Sequence, residues 1–339
     1  MRHLHLLVSD LLPPQDIAAQ LFSGLHVPAL EKLLARSEAG ILPAMTLEEV
    51  LCAQFAAGAV APVRALADGL DVADGFWLCA DPVHLQLQQS QVVLQPDVRC
   101  EAAEAAAMCD LLNAHFAADG LVFYAPHPQR WYVRVAKVSS VTLTPLRLAA
   151  WRDVKPFQPQ GADALHWKRL SNEIQMLLHD NPVNQAREEH GLAPINSLWL
   201  WGAGQAFPFT TSLEVIGGDE ELNAAFASAS GIRVVTSLAE MLTGSSLRGC
   251  WVNTELGTAW QRGDLYAWRE TLQMLEQEIA RPIWQALRSG RLQGLTLDVS
   301  LDSGILRYEL SRAGIWKLWR RPKSLAKYDA GRLLKNEGS

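Results

Sequence analysis

The chain has 339 residues, 49% of them hydrophobic, with 30 Lys and Arg against 36 Asp and Glu, for a net charge of −6. That composition excludes a disordered chain. The acidic balance excludes global electrostatic capture of nucleic acid or an anionic membrane, leaving room only for a local patch.

HLHLLVS at 3–9 reads as a strand that stops at Asp10, just before a double proline. Residues 27–40 have helical apolar spacing and a glycine stop, and 45–58 open with Thr46 and Glu49 at capping-box spacing. FWLCADPVHL (76–85) is expected to be a strand running into a turn. A hairpin-rich segment from about 90 to 140 follows, interrupted by an Ala-rich helix at 100–118. Residues 163–180 form an amphipathic pattern with Leu165, Leu170, Ile174, Leu177 and Leu178 on the apolar side. Short apolar runs at 197–202, 213–218 and 232–237, bounded by glycines, predict a mainly parallel, doubly covered sheet. The pattern at 265–290 is a long helix in which Leu272, Leu275, Ile279, Ile283 and Leu287 share a face and Pro282 forces a kink or a split. GLTLDVS and ILRYEL read as the last strands, before a basic aromatic tail, WKLWRRPK.

Cys52, Cys79, Cys100, Cys109 and Cys250 contain no CxxC pair and leave one over, so reduced, buried thiols in a cytoplasmic protein are expected. No apolar run reaches the ~18 residues of a membrane span, the first residues are too short an apolar run for a signal peptide, and no membrane partner is expected.

The stretch 181–204, NPVNQAREEHGLAPINSLWLWGAG, has the composition of an anion-site lining. Its GAG lets backbone approach a phosphate, or simply makes a tight turn. The chain has no GxGxxG, no GxxxxGK[ST] and no GxSxG. His3 and His5 share a strand face with no evident partner, while His84 and His166 lie three residues after aspartates and read as structural. In the tail, Trp316 and Trp319 with Lys317, Arg320, Arg321 and Lys323 suit a phosphate backbone and its bases, or else tryptophans packed on a sheet with the charges in water.

In its motifs the chain resembles the archaeal-type cofactor-independent phosphoglycerate mutases of the alkaline phosphatase superfamily. It looks most like their bacterial offshoot, the "regulator of pathogenicity factors E" type. The main carrier is Asn181-Pro182-Val183-Asn184, Arg187, Gly191, Pro194-Ile195-Asn196 and then LWLWGAG, which is similar to the mutases' His-Pro-(Val/Ile)-Asn-x-x-Arg turn and its Gly-rich sequel. LHVPALEKLLARSEAG, FYAPHPQRWYVRV and LEVIGGDEELNAAFASASGIRVV are looser echoes.

The resemblance implies an α/β fold, a three-layer alkaline-phosphatase-like core with a mainly parallel sheet and an inserted smaller α+β domain. The expected divisions are 1–85 for the first part of the core, 86–160 for the insertion, 161–315 for the remainder and 316–339 for the tail. It implies ligand-binding roles for Asn184, Arg187, Asn196, Gly202 and Gly204.

It also implies a degenerate metal site. Asp10 stands at the first-strand Asp, and the three-ligand element falls on Gly257, Gln261 and Asp264. The Asp-His pair becomes Asp298-Val299, and no D-x-x-x-H or D-H occurs anywhere. Thr46 is the nucleophile candidate, although its capping box accounts for it without chemistry. The leading expectation is a regulatory pseudoenzyme without a cofactor that binds a phosphorylated small molecule or a protein partner. A metal-dependent mutase or phosphatase rebuilt on Asp10, Asp264, Asp298 and His84, with Mn or Zn, is the alternative. A nucleic-acid-associated factor acting through Trp316–Lys323 is the third.

Overall fold

The computed structural model describes residues 2–43, 45–206, 208–245 and 248–328; the rest of the expected tail, 329–339, lies outside the described residues. Its strands are β1 (His3–Ser9), β2 (Glu38–Pro43), β3 (Phe76–Gln88), β4 (Gln91–Gln95), β5 (Leu121–His127), β6 (Arg130–Val135), β7 (Ser197–Gly204), β8 (Val215–Gly218), β9 (Arg233–Val235), β10 (Arg248–Asn253), β11 (Gly294–Leu301) and β12 (Gly304–Ser311). The chain forms two compact units, one of residues 1–55 and 210–339, the other of residues 56–209. The 86–160 insertion expected from sequence lies inside the second, which also takes in β3 and β7.

The first unit is built on a seven-stranded sheet in the order β2-β12-β11-β1-β10-β8-β9. β1 pairs in parallel with β10 and β11, β8 with β10 and β9, while β12 and β2 run antiparallel at one edge. This agrees with the expected mixed α/β fold and mainly parallel sheet. Leu4, Leu6 and Val8 alternate onto a core face with Leu295, Leu297 and Val299, and the residues between them, His3, His5, Leu7 and Ser9, point to the other face.

The helix at 265–290 is divided into Leu265–Met274, a π-helical stretch Leu275–Ala280 and Arg281–Ser289. Pro282 lacks the N–H a continuous ladder needs, and the preceding turn widens instead of breaking. All five leucines and isoleucines of the expected apolar face are buried. The helix beginning at 28 ends at Arg36, and Gly40, expected to stop it, lies in β2 opposite Arg307.

The second unit carries an antiparallel sheet ordered β4-β3-β6-β5, with β7 also paired to β3. The run at 197–202, expected in the parallel sheet, is therefore part of β7 in this one. β3 continues through Pro82 where a turn was expected. Along one edge β6 pairs β3 only as far as Cys79 and β4 takes over at His84, so the missing proline N–H falls in the gap between them. Helices Ala102–Phe116 and Ala164–His179 supply Met108, Leu112, Trp167, Leu170, Ile174 and Leu178 to its core. Trp167 takes the inward place expected for Leu165, which is exposed. All five cysteines are free and buried, and burial pushes the Cys52, Cys100 and Cys109 thiols up to about 12.

Candidate functional site

In a parallel sheet, ligands are met at the carboxyl ends of the strands, where the connections diverge to either side. In the first unit the chain leaves β10 on one side of β1 and returns as β11 on the other, so the ends of β1, β8, β10 and β11 define that place.

Ser9 closes β1. Its hydroxyl donates to the Thr254 carbonyl at 3.2 Å and accepts from the Gly257 N–H at 3.1 Å. Asp10 follows with φ of 50°, a left-handed conformation that aspartate tolerates better than most side chains. Its N–H donates to the Ser300 carbonyl at 2.9 Å and its own carbonyl accepts from the Trp268 indole at 3.1 Å.

Asp219 sits just beyond β8, after Gly218. A Cβ at Gly218 would collide with the Val252 carbonyl, so only glycine lets the backbone pass at φ of 119°. The Asp219 carboxylate accepts from the Asn253 amide at 2.9 Å, the Thr254 N–H at 2.7 Å and the Glu255 N–H at 3.1 Å. Desolvation nevertheless raises its pKa, and desolvation followed by the charge of Asp219 raises that of Glu255. The Asn253 side-chain oxygen and the Ser300 hydroxyl are buried here without a hydrogen-bond partner. Such atoms carry a desolvation cost that a bound donor would relieve.

Of the expected metal remnants, only Asp10 is at the mouth. Asp298 lies deeper in β11 and is 1% exposed. It accepts from Arg307 Nε at 2.8 Å and Nη2 at 2.6 Å, and pairs with His5 Nε2 at 2.7 Å. Burial alone would raise its pKa, but the hydrogen bonds from Arg307 and His5 outweigh burial and hold it below the usual carboxylate range. His5 thus has the partner its sequence context does not reveal, 293 residues away, and His3 meets Thr296 at 2.9 Å. Asp264 caps helix Leu265–Met274 by accepting from the Ala267 N–H at 2.9 Å.

Gly257 is packed so closely that a Cβ would run into Ser9 Oγ and come within 2.7 Å of Asp10 Oδ2. A pair of divalent metals needs carboxylate and imidazole donors converging on a shared space. Among the described residues no three His, Cys, Asp or Glu side chains are grouped to hold an ion. The donor set does not fit a bimetal centre. Gly257→Ala is expected to destabilise the protein by about 1–3 kcal/mol through overpacking, despite alanine's better helix propensity. Equilibrium unfolding checks this, and an unchanged or raised stability would show that the space is open.

In the second unit, the residues expected to cradle an anion are already engaged. Asn184, 2% exposed, donates to the Leu178 and Ile195 carbonyls and accepts from the Ile195 N–H. Arg187 donates to the Ala193 carbonyl at 2.9 Å, to Glu104 at 2.8 Å and to the Arg99 carbonyl at 2.7 Å. Asn196 clasps the backbone of Leu85 through both its oxygen and its amide, and His84 Nδ1 meets the Pro194 carbonyl. Gly202 and Gly204 let β7 approach helix Val60–Ala67, since a Cβ at 204 would strike Ala59 and one at 202 would press on Val60. Thr46 forms the expected capping box with Glu49, at 2.7 and 3.2 Å.

Sequence reasoning missed Asp219, Asn253 and Ser300. The available signal was a polar residue closing each apolar run, as in VIGGD, CWVN and LDVS.

No protein-family model matches the chain. Curated relatives do. The 2,3-bisphosphoglycerate-independent phosphoglycerate mutase of Methanosarcina mazei is 26% identical over 137 residues, 40% of this chain and 34% of that protein. The Methanosarcina barkeri enzyme of the same name is 29% identical over 115 residues, 33% of this chain and 29% of its own length. The chain is phosphoglycerate-mutase-like. The matched segments span about a third of those relatives. The mutase-like chain also shares its fold with the PH0037 protein from Pyrococcus horikoshii, at a TM-score of 0.55 and 13% identity, over 91% of this chain and 87% of that one.

Proposed function

We propose that this mutase-like chain acts by binding rather than by phosphoryl transfer, as a regulatory protein whose strand-end crevice holds a small polar ligand or a partner's side chain. The observation that carries the reading is the closure at Gly257, where Ser9 and Asp10 occupy the space a ligating side chain would need. Asp298 and Asp264 are committed to Arg307 and His5 and to a helix cap, respectively. Among the described residues no metal donor set is grouped at the strand ends, so no bound ion is provided for there to balance the charge of a transferring phosphoryl group. Binding is supported by the unpartnered Asn253 oxygen and Ser300 hydroxyl, buried polar groups at the strand ends whose desolvation cost a local opening onto a ligand would relieve. A phosphate at Asn184 and Arg187 would first have to displace their internal hydrogen bonds, so the crevice is the better-supported place.

Purified protein incubated with Mn or Zn is expected to retain no stoichiometric metal after dialysis. It is expected to turn over neither 3-phosphoglycerate nor p-nitrophenyl phosphate above a blank. Stoichiometric metal together with turnover abolished by Asp10→Asn would overturn the proposal and favour a rebuilt mutase or phosphatase.

A further inference from the structure

The tail motif has a geometry that the crevice does not use. Residues 312–316 form a 3-10 turn, and tight backbone hydrogen bonds continue from Lys317 to Gly314 and from Arg320 to Lys317. Two cations pin this segment to the start of β2: Lys317 pairs with Glu38 at 2.9 Å and Arg320 donates to the Ser37 carbonyl at 2.8 Å. With these turned inward, three large apolar side chains are left outward. Trp316 is 61% exposed, Leu318 65% and Trp319 75%. The expectation that the tryptophans pack on the sheet is therefore not met. A cluster of this kind, held by its own backbone, marks an interaction surface.

The surrounding charge narrows the partner. The segment that carries the tip, residues 312–328, holds six Lys and Arg and no Asp or Glu, in a chain that is acidic as a whole. Arg321 and Lys323 are exposed beside the apolar tip. We propose that this tip docks the protein peripherally on an anionic lipid bilayer, with Trp316, Leu318 and Trp319 entering the headgroup boundary and Arg321 and Lys323 meeting lipid phosphates.

Tryptophan and leucine flanked by cations are the side chains that favour that boundary. A nucleic acid strand would use the two indoles for stacking, but Leu318, equally exposed between them, offers a base no ring face. Among the described residues no helix is long and apolar enough to cross a membrane, and attachment through this tip needs none. The proposal is independent of the reading of the crevice.

Flotation of the full chain with vesicles tests it. Binding is expected to vesicles containing phosphatidylglycerol, to be weak on pure phosphatidylcholine, and to fall as salt is raised. The double variants Trp316→Ala/Trp319→Ala and Arg321→Glu/Lys323→Glu should each lower partition about tenfold or more, with unchanged circular dichroism and melting. Failure to float with anionic vesicles would overturn the proposal, as would flotation unaffected in both variants. Two further results would replace the bilayer with another occupant. One is oligo-deoxythymidine binding that is lost in the tryptophan variant while vesicle binding is absent. The other is a dimer in solution that the same variant dissociates.

Discussion

Asp81→Ala should destabilise residues 56–209 by about 3–5 kcal/mol, because it leaves a buried guanidinium without its counter-charge. Arg64 projects from helix Val60–Ala67 and pairs with Asp81 of β3 through both terminal nitrogens. Its Nε donates to the Tyr132 hydroxyl at 3.1 Å, and Tyr132 donates to Asp68 at 2.6 Å, which in turn holds Arg130. Trp201 donates its indole N–H to Asp81 at 2.7 Å, and the guanidinium lies 5.0 Å from the Tyr132 ring centre and 5.3 Å from that of Trp201. Burial alone would lower the pKa of Arg64, but the charge of Asp81 prevails and the net shift is upward. Asp81→Ala therefore forces a full charge to remain in an apolar setting, whereas Arg64→Met/Asp81→Leu removes both charges and should recover most of the loss. Hydrogen exchange of the β3 and β6 amides reads the local free energy. A single-variant cost below about 1 kcal/mol would mean that water reaches Arg64.

Glu276→Ala should cost the first unit about 3 kcal/mol, the second large effect. Helix Pro28–Arg36 begins after Val27, which has no capping side chain, so its first N–H groups need an acceptor from elsewhere. Glu276, 1% exposed, supplies it. Its oxygens accept from the Ala29 N–H at 3.0 and 3.1 Å and the Leu30 N–H at 2.9 Å, and Arg281 donates to it at 3.1 Å. The π-helical turn ahead of Pro282 contains this carboxylate, so the irregularity in one helix serves the start of another. Glu276→Gln keeps one acceptor and should lie between wild type and alanine in denaturant midpoint. Equal midpoints for all three would refute the capping role.

Much of the fold was legible because it is local. The 3.6-residue period exposed the face from Leu272 to Leu287, and Thr46 with Glu49 announced their own cap. The errors came where tertiary pairing overruled a local signal. Gly40 reads as a helix stop, yet β12 recruits its segment as an edge strand. Residues 76–85 read as a strand running into a turn, yet β3 continues past Pro82 because one edge of its ladder has a gap at that position. Residues 197–202 are apolar enough for a parallel core, and only the partner strand decides their sheet.

The site was less legible still. Asp298 reads as a remnant ligand until Arg307 and His5 are seen to hold it, and one of those partners is nearly the whole chain away. Gly257 reads as a lost aspartate, but only packing reveals that even a methyl group has no room there.

The interrupted first unit also sets an order of events. β1 finds its neighbours only in β10 and β11, strands that begin at Arg248 and Gly294. On the ribosome the first 55 residues therefore emerge long before anything can pair with their central strand. Residues 56–209 are contiguous and hold all their strand partners, so they can close their own core while the rest is still being made. Until then β1, with Leu4, Leu6 and Val8 exposed on the face that will join the core, is an unpaired edge in need of shelter, and the stage of synthesis between residues 10 and 294 is when this chain is most open to aggregation.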